Sequence, residues 1–318
     1  MGEDYKCSGG MVRVSHDFEA GLDDCSVVWM VDSWNELEFH RFIEPSFRLA
    51  TDKGKRIVCS RDLSTEEKAL VSKYDFIYVE YSSFKPKVSL DDRVQEVRTP
   101  VIYVMSSTEN CNQFYIESAI CAELRDRGYE ALLISSRKES AAFGQYSIPN
   151  FMFNKDCSEN EKVVALNYYI RYLEMKNNPE VIVIGVPGAA IPYSSNYSSD
   201  FGILAYEFSE AVKPDYTILS SPCMPYDIGY YEGIEETIHS RLGVRIDTHS
   251  LSRFALDFND PSGKKSIGYL SVGECYIRDM IKQIKYNKLF DLSNKCGITS
   301  EVDRLISKLS NAATSIIT

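Results

Sequence analysis

Short apolar runs alternate along the chain with stretches in which apolar residues recur every three to four positions. Buried parallel strands have the first pattern, and the helices between them have the second. In the N-terminal part, residues 26–31 (SVVWMV), 55–59 and 75–80 are expected strands. Residues 35–50 carry a helical pattern in which Pro45 would introduce a kink. Ser64, followed by Glu66 and Glu67, opens another helix, because a hydroxyl there can accept a free N–H and carboxylates suit the first turn.

Residues 81–99 change character. They are polar and charged, with few apolar residues in phase, and read as a linker or an irregular crossover. The pattern therefore divides the chain into a small α/β domain over residues 1–95, ending in that linker, and a second α/β domain over residues 96–318. The second domain is expected to hold a mostly parallel sheet flanked by helices, with strands at 101–105, 130–135, 181–184, 216–219 and 244–248. Helices are expected over 113–127, 157–176, 202–212 and 228–242 and near 301–309, and residues 254–258 and 266–270 would pair across the turn DPSG. The strand–loop–helix–strand order from Val101 onward is a βαβ unit with a right-handed crossover.

In open α/β sheets ligands sit outside the carboxyl ends of the strands. Two loops occupy such places. Residues 106–113 read SSTENCNQ between an expected strand and an expected helix. A phosphate-binding loop has the form strand–GxxxxGK[ST]–helix, in which backbone N–H groups surround phosphates and the lysine reaches the outer ones. Here the glycine slots hold Ser and Cys, and the lysine slot holds Asn112, or Gln113 if the register moves by one residue. Glu109 adds a negative charge where phosphates would sit. The expected cradle is Ser106, Ser107, Thr108, Asn112 and Gln113, with no cation.

The second loop, after residues 181–184, contributes Gly185, Pro187 and Gly188. In proteins of the MinD and signal-recognition type, a later strand ends in an Asp that helps hold magnesium. No carboxylate follows here until Asp200. The layout is that of a degenerate P-loop, and the residues assign no catalytic group, metal or cofactor.

The net charge of -11 and pI near 5.0 exclude a basic groove for nucleic acid. No apolar run approaches the ~20 residues of a membrane span. The N-terminus lacks the basic and apolar regions of a signal peptide, so a cytoplasmic protein is expected. Nine cysteines form no CxxC pair and no CxxxCxxC, and four histidines form no HExxH, which leaves zinc and iron–sulfur chemistry without a ligand pattern. Cys223, in the turn after residues 216–219, His239 on a helix surface and His249 at a strand end remain without a role. Tyrosines are frequent, with Tyr168, Tyr169 and Tyr172 on one expected helix and Tyr230 and Tyr231 on another, a composition suited to protein or peptide recognition.

The stretches QFYIESAICAELRDRGYEALLIS, IPNFMF and VIVIGVPGAAIPYSSNYSSDFGILAYEFSEAVKPDY resemble a family of clostridial peptide-maturation system proteins, over about residues 95–260. That family accompanies radical-SAM enzymes and small precursor peptides. The resemblance implies an accessory protein in the maturation of a ribosomally made peptide, binding the maturase or the precursor, with self-association left open. The alternative is a protein, enzymatic or not, that binds a nucleotide or another phosphorylated ligand at the modified P-loop.

Overall fold

The computed structural model describes residues 3–7, 10–32, 37–89, 93–194, 199–257, 268–292 and 295–315, with backbone only for 3–7, 10–12 and 312–315. The chain forms two compact units, Met1–Glu80 and Tyr81–Thr318.

The first unit begins with the antiparallel hairpin β1 (Glu3–Cys7) and β2 (Gly10–Val14). Helix α1 (Phe18–Asp23) follows, capped by Asp17, whose carboxylate accepts from Ala20 N at 3.0 Å. Then come β3 (Val27–Met30), α2 (Glu44–Asp52), β4 (Arg56–Cys59), α3 (Thr65–Val71) and β5 (Ile77–Tyr78). The three strands pair in parallel in the order β3-β4-β5. Ser64 and Glu67 cap α3 reciprocally, as the Ser-x-x-Glu spacing requires. A π-helical turn (Phe39–Ile43) runs directly into α2, and Pro45 stands just after the junction, where the hydrogen-bonding pattern of the helix changes. Part of the helical pattern expected over 35–50 falls on residues 33–36, outside the described residues.

The second unit is built on β6 (Val101–Ser106), α4 (Gln113–Asp126), β7 (Ala131–Ser135), β8 (Tyr146–Ser147), α5 (Glu159–Asn177), β9 (Val181–Gly185), α6 (Ile203–Ala211), β10 (Tyr216–Ser221), α7 (Ile228–Leu242) and β11 (Thr248–Leu251). The hairpin β12 (Phe254–Asp257) and β13 (Gly268–Ser271), α8 (Glu274–Ile284), β14 (Leu289–Phe290) and α9 (Lys295–Ser315) complete it. Seven strands form one parallel sheet in the order β14-β11-β10-β6-β9-β7-β8. β6 is central and buried along its whole length. Its alternate residues serve opposite faces. Tyr103 and Met105 pack with α5, α6 and α7, while Ile102 and Val104 pack with α4 and α9. Among the described residues no helix is long and apolar enough to cross a membrane.

Two expectations about β11 shift. The strand expected at 244–248 is found as β11, Thr248–Leu251, because Val244 and Ile246 bury their side chains from a loop while the polar Thr248, His249 and Ser250 enter the sheet. His249 is therefore inside a strand and fully buried, not at a strand end. The β12–β13 pairing forms, but the DPSG turn lies outside the described residues.

The two units divide at the start of the 81–99 stretch, and its described residues are hydrogen-bonded to the second unit. Asn150 N donates to Ser82 O at 2.8 Å. Gln95 N donates to Asn167 Oδ1 at 2.8 Å, and Asn167 returns a bond to Gln95 O. Glu174 accepts from Arg98 N and Thr99 N at 2.9 and 2.8 Å. The segment is polar because buried side chains of α5 take up its backbone groups, so an apolar period was not needed to dock it. Burial raises the Glu174 carboxyl, but the bonds from Thr99, Arg98 and Arg171 outweigh it and hold the group below its ordinary range. Its contribution is thus present near neutral pH and lost as pH falls through that lowered value. Glu174→Ala is expected to cost about 1–3 kcal/mol and to speed amide exchange at Arg98 and Thr99. Unchanged exchange at those two amides would show that the carboxylate does not hold the segment.

Candidate functional site

The direction of strand progression reverses at β6. The chain places β7, β8 and β9 on one side of it and β10, β11 and β14 on the other. The crevice at the carboxyl end of β6 is thus the switch point where ligands of such sheets bind. Three segments meet there. Ser107 N donates to Ser220 O of β10 at 2.8 Å, and Ala190 N donates to Ser106 O at 2.7 Å. The two loops singled out in the sequence are thereby brought side by side.

The loop after β6 resolves the register. Helix α4 opens at Gln113, preceded by Asn112 in the left-handed region at φ 57°. Asn tolerates that conformation better than most side chains. The slots of the P-loop form are thus filled by Ser107 and Asn112 for the glycines, Gln113 for the lysine and Phe114 for the hydroxyl.

Gln113 does not face outward as a phosphate-binding lysine would. Its amide donates to Val104 O at 2.8 Å and to Val186 O, and it accepts from Ser106 Oγ at 3.2 Å. It fastens the end of β6 to the chain after β9. Within the loop, Thr108 and Cys111 are buried and bonded to each other at 3.1 Å. Asn112 Oδ1 accepts from Arg253 N at 2.5 Å, and Tyr269 of β13 meets Thr108 and Asn110. Glu109 is exposed at the tip.

In the second loop Gly185 is buried beneath α4. A Cβ there would collide with the Glu117 carboxylate and lie 2.8 Å from Ser136 N. The glycine makes room for Glu117, whereas Gly188, at φ 72°, is exposed with open space around it, and Pro187 is buried.

The sequence reading passed over Glu117. Its signal was a lone carboxylate on the apolar face of α4, among Ile116, Ile120, Cys121 and Leu124. It accepts from Ser135 Oγ and from Ser136 N at 3.0 Å. Burial pushes its carboxyl up to about 7, the bonds from Ser135 and Ser136 offsetting only part.

Around the crevice lie the buried hydroxyls of Ser107, Ser220, Ser221 and Ser250, of which Ser220 and Ser250 have no hydrogen-bond partner among the described residues. The Tyr230 phenol lies beside Ser221, Ser107 and Tyr226 and is raised by burial, and its ring stacks on that of Tyr226 at 3.7 Å. A cavity of about 370 Å³ opens here, lined by Ser107, the chain from Ile191 to Tyr193, and one face of α7. Burial pushes the thiols of Cys111 and Cys223 up to about 11, so neither supplies a thiolate near neutral pH. His239 is exposed on α7. His249 Nε2 is 2.9 Å from Glu235, which also accepts from Tyr286 at 2.7 Å and Lys288 at 2.5 Å. This polar clasp ties α7 to β11. Among the described residues no three His, Cys, Asp or Glu side chains gather as a metal site.

The Glu117 carboxyl titrates above its ordinary 4.5. Between that value and about 7 the folded protein keeps a proton that the unfolded chain has lost, so stability falls as pH rises through the window. Glu117→Gln keeps an acceptor for Ser135 and Ser136. By urea denaturation, wild type is expected to lose roughly 2–3 kcal/mol between about pH 5 and 8 that the variant retains. Parallel pH profiles for the two proteins would rule Glu117 out as the titrating group.

No protein-family model matches the chain, and no curated protein matches it. Solved structures do. A DUF1611 family protein from Anabaena variabilis superposes with TM-score 0.57 at 11% identity, covering 93% of this chain and 84% of that one. Cobyrinic acid a,c-diamide synthase from Mycobacterium smegmatis, with bound ADP and magnesium, gives TM-score 0.41 at 10% identity over 67% of this chain and 96% of that one. MinD from Aquifex aeolicus gives 0.37 at 12% identity over 66% and 98%. The first likeness is one of fold alone, and the other two are too distant to argue from. None supports the resemblance to peptide-maturation proteins.

Proposed function

We propose that the second unit binds a nucleotide or a related phosphorylated small molecule across the carboxyl edge of the sheet and does not hydrolyse it. The observation that carries this is the β6–α4 loop. A left-handed Asn112 opens α4 at the switch point, so the first-turn N–H groups from Gln113 to Tyr115 have no partner within the helix and face the crevice. The case against hydrolysis is equally local. The lysine slot holds a neutral amide turned inward, and β9 ends in Gly185 with no carboxylate to hold magnesium.

The test is a thermal-shift and calorimetric series on the full chain with ATP, ADP and GTP, each with and without magnesium. Binding to the folded state alone raises stability by about 2.7 kcal/mol at a ligand concentration 100 times Kd. Stabilisation without magnesium, and no phosphate release, is the expected result. Magnesium-dependent turnover, or no shift with any nucleotide, would overturn the reading.

A second reading keeps the peptide partner. It is favoured by an exposed aromatic strip on the second unit, where Phe84 stacks on Tyr172 at 4.8 Å and Phe153 lies 4.8 Å from Tyr81, with Met175 exposed nearby on α5. Such strips suit peptide recognition. Fluorescence anisotropy with a labelled precursor peptide would be expected to show binding that Tyr172→Ser weakens about tenfold. Equal affinity for wild type and variant would remove the strip as its seat.

A further inference from the structure

The cavity beside Ser107 has an unusual wall. Gly229, Gly233 and Thr237 are spaced four apart on α7 and so share one face of the helix. A Cβ on Gly233 would meet nothing within 4 Å. The helix surface is therefore bare and flat where the cavity touches it. The other walls are Ile191, Pro192 and Ile234, with the phenols of Tyr193 and Tyr230. Tyr230 is held by its stack on Tyr226, with the rings 6° from parallel.

No described residue that lines it is charged. A phosphate or carboxylate placed here would give up its hydration with no cation in return. The polar provision is of a different kind. Ser107 is 3% exposed and lines the cavity, with its hydroxyl beside the Tyr230 phenol. Each of these two groups can both donate and accept, so the pair offers a ligand edge hydrogen bonds without any charge. At about 370 Å³ the cavity is at the small end of the range for ligand pockets.

We infer that this cavity seats an uncharged planar ring with a hydrogen-bonding edge, its face against the glycine wall of α7 and its polar edge toward Ser107. The inference rests on the nucleotide reading above and assigns the cavity to the nucleoside half. The β6–α4 loop, filled by Thr108 and Cys111 and lacking a cation, is left with the smaller share of the affinity.

The experiment is calorimetry on the full chain with adenosine, guanosine, their triphosphates and tripolyphosphate, repeated on Ser107→Ala, Gly233→Ala and Gly233→Leu. A nucleoside is expected to bind within about tenfold of its triphosphate, and tripolyphosphate to bind at least about a hundredfold more weakly. Gly233→Ala should raise the melting temperature, since a helical glycine is replaced where there is room. Gly233→Leu should fold at least as well as wild type yet lose about tenfold or more in nucleoside affinity, and Ser107→Ala several-fold. Tripolyphosphate binding as tightly as a triphosphate, indifferent to Gly233→Leu, would overturn the cavity assignment while leaving a phosphate site. Binding of no probe at all would overturn both.

Discussion

The carboxyl edge of the second unit depends on one strand being covered on both faces. β6 is hydrogen-bonded to β9 on one side and β10 on the other, and its residues alternate between two apolar layers. A strand so enclosed has no freedom to shift by one residue, because the shift would exchange the residues of the two layers. The register of β6 thus sets the height at which Ser106 and Ser107 emerge. It also sets where α4 begins and how the chains after β9 and β10 approach.

On that frame the loop is built around neutral groups. Gln113 bonds to Val104 O and Val186 O. A charged ammonium in that place would be drawn toward phosphates, whereas the amide satisfies backbone carbonyls that the end of the sheet leaves over. The same tendency runs across the crevice, where hydroxyls of Ser107, Ser220, Ser221 and Ser250 replace charges. The ionised groups that are held firmly, such as Glu235 with His249, Tyr286 and Lys288, fasten elements to one another. Burial raises the Glu235 carboxyl, but bonds from His249, Lys288 and Tyr286 outweigh it and hold the group at about 2, which keeps that clasp charged across the neutral range.

The larger architecture was legible because parallel strands buried on both faces leave unbroken apolar runs, as at residues 101–105 and 181–184. β11 was displaced in the reading because its core positions are Thr248, His249 and Ser250, which no hydrophobicity pattern flags. The 81–99 segment shows no apolar period for a related reason, since it docks by backbone bonds to Asn167 and Glu174. In the site, the loop positions could be read but the register could not. Asn110 and Asn112 are both left-handed, and φ angles are not written in composition. Gly185 was visible as a glycine, but its reason, the Glu117 carboxylate above it, depends on a contact across 68 positions that no spacing rule reports.

That contact also limits what the site can become. The simplest step toward metal chemistry would be a carboxylate at the end of β9, where Gly185 stands. Any side chain there meets Glu117 and Ser136 N. Shortening residue 117 would strip Ser135 Oγ and Ser136 N of their acceptor and would still leave the Ser136 backbone against any side chain at 185. The end of β9 is thus closed to a carboxylate twice over, once by a side chain and once by main chain that no substitution at 117 can move.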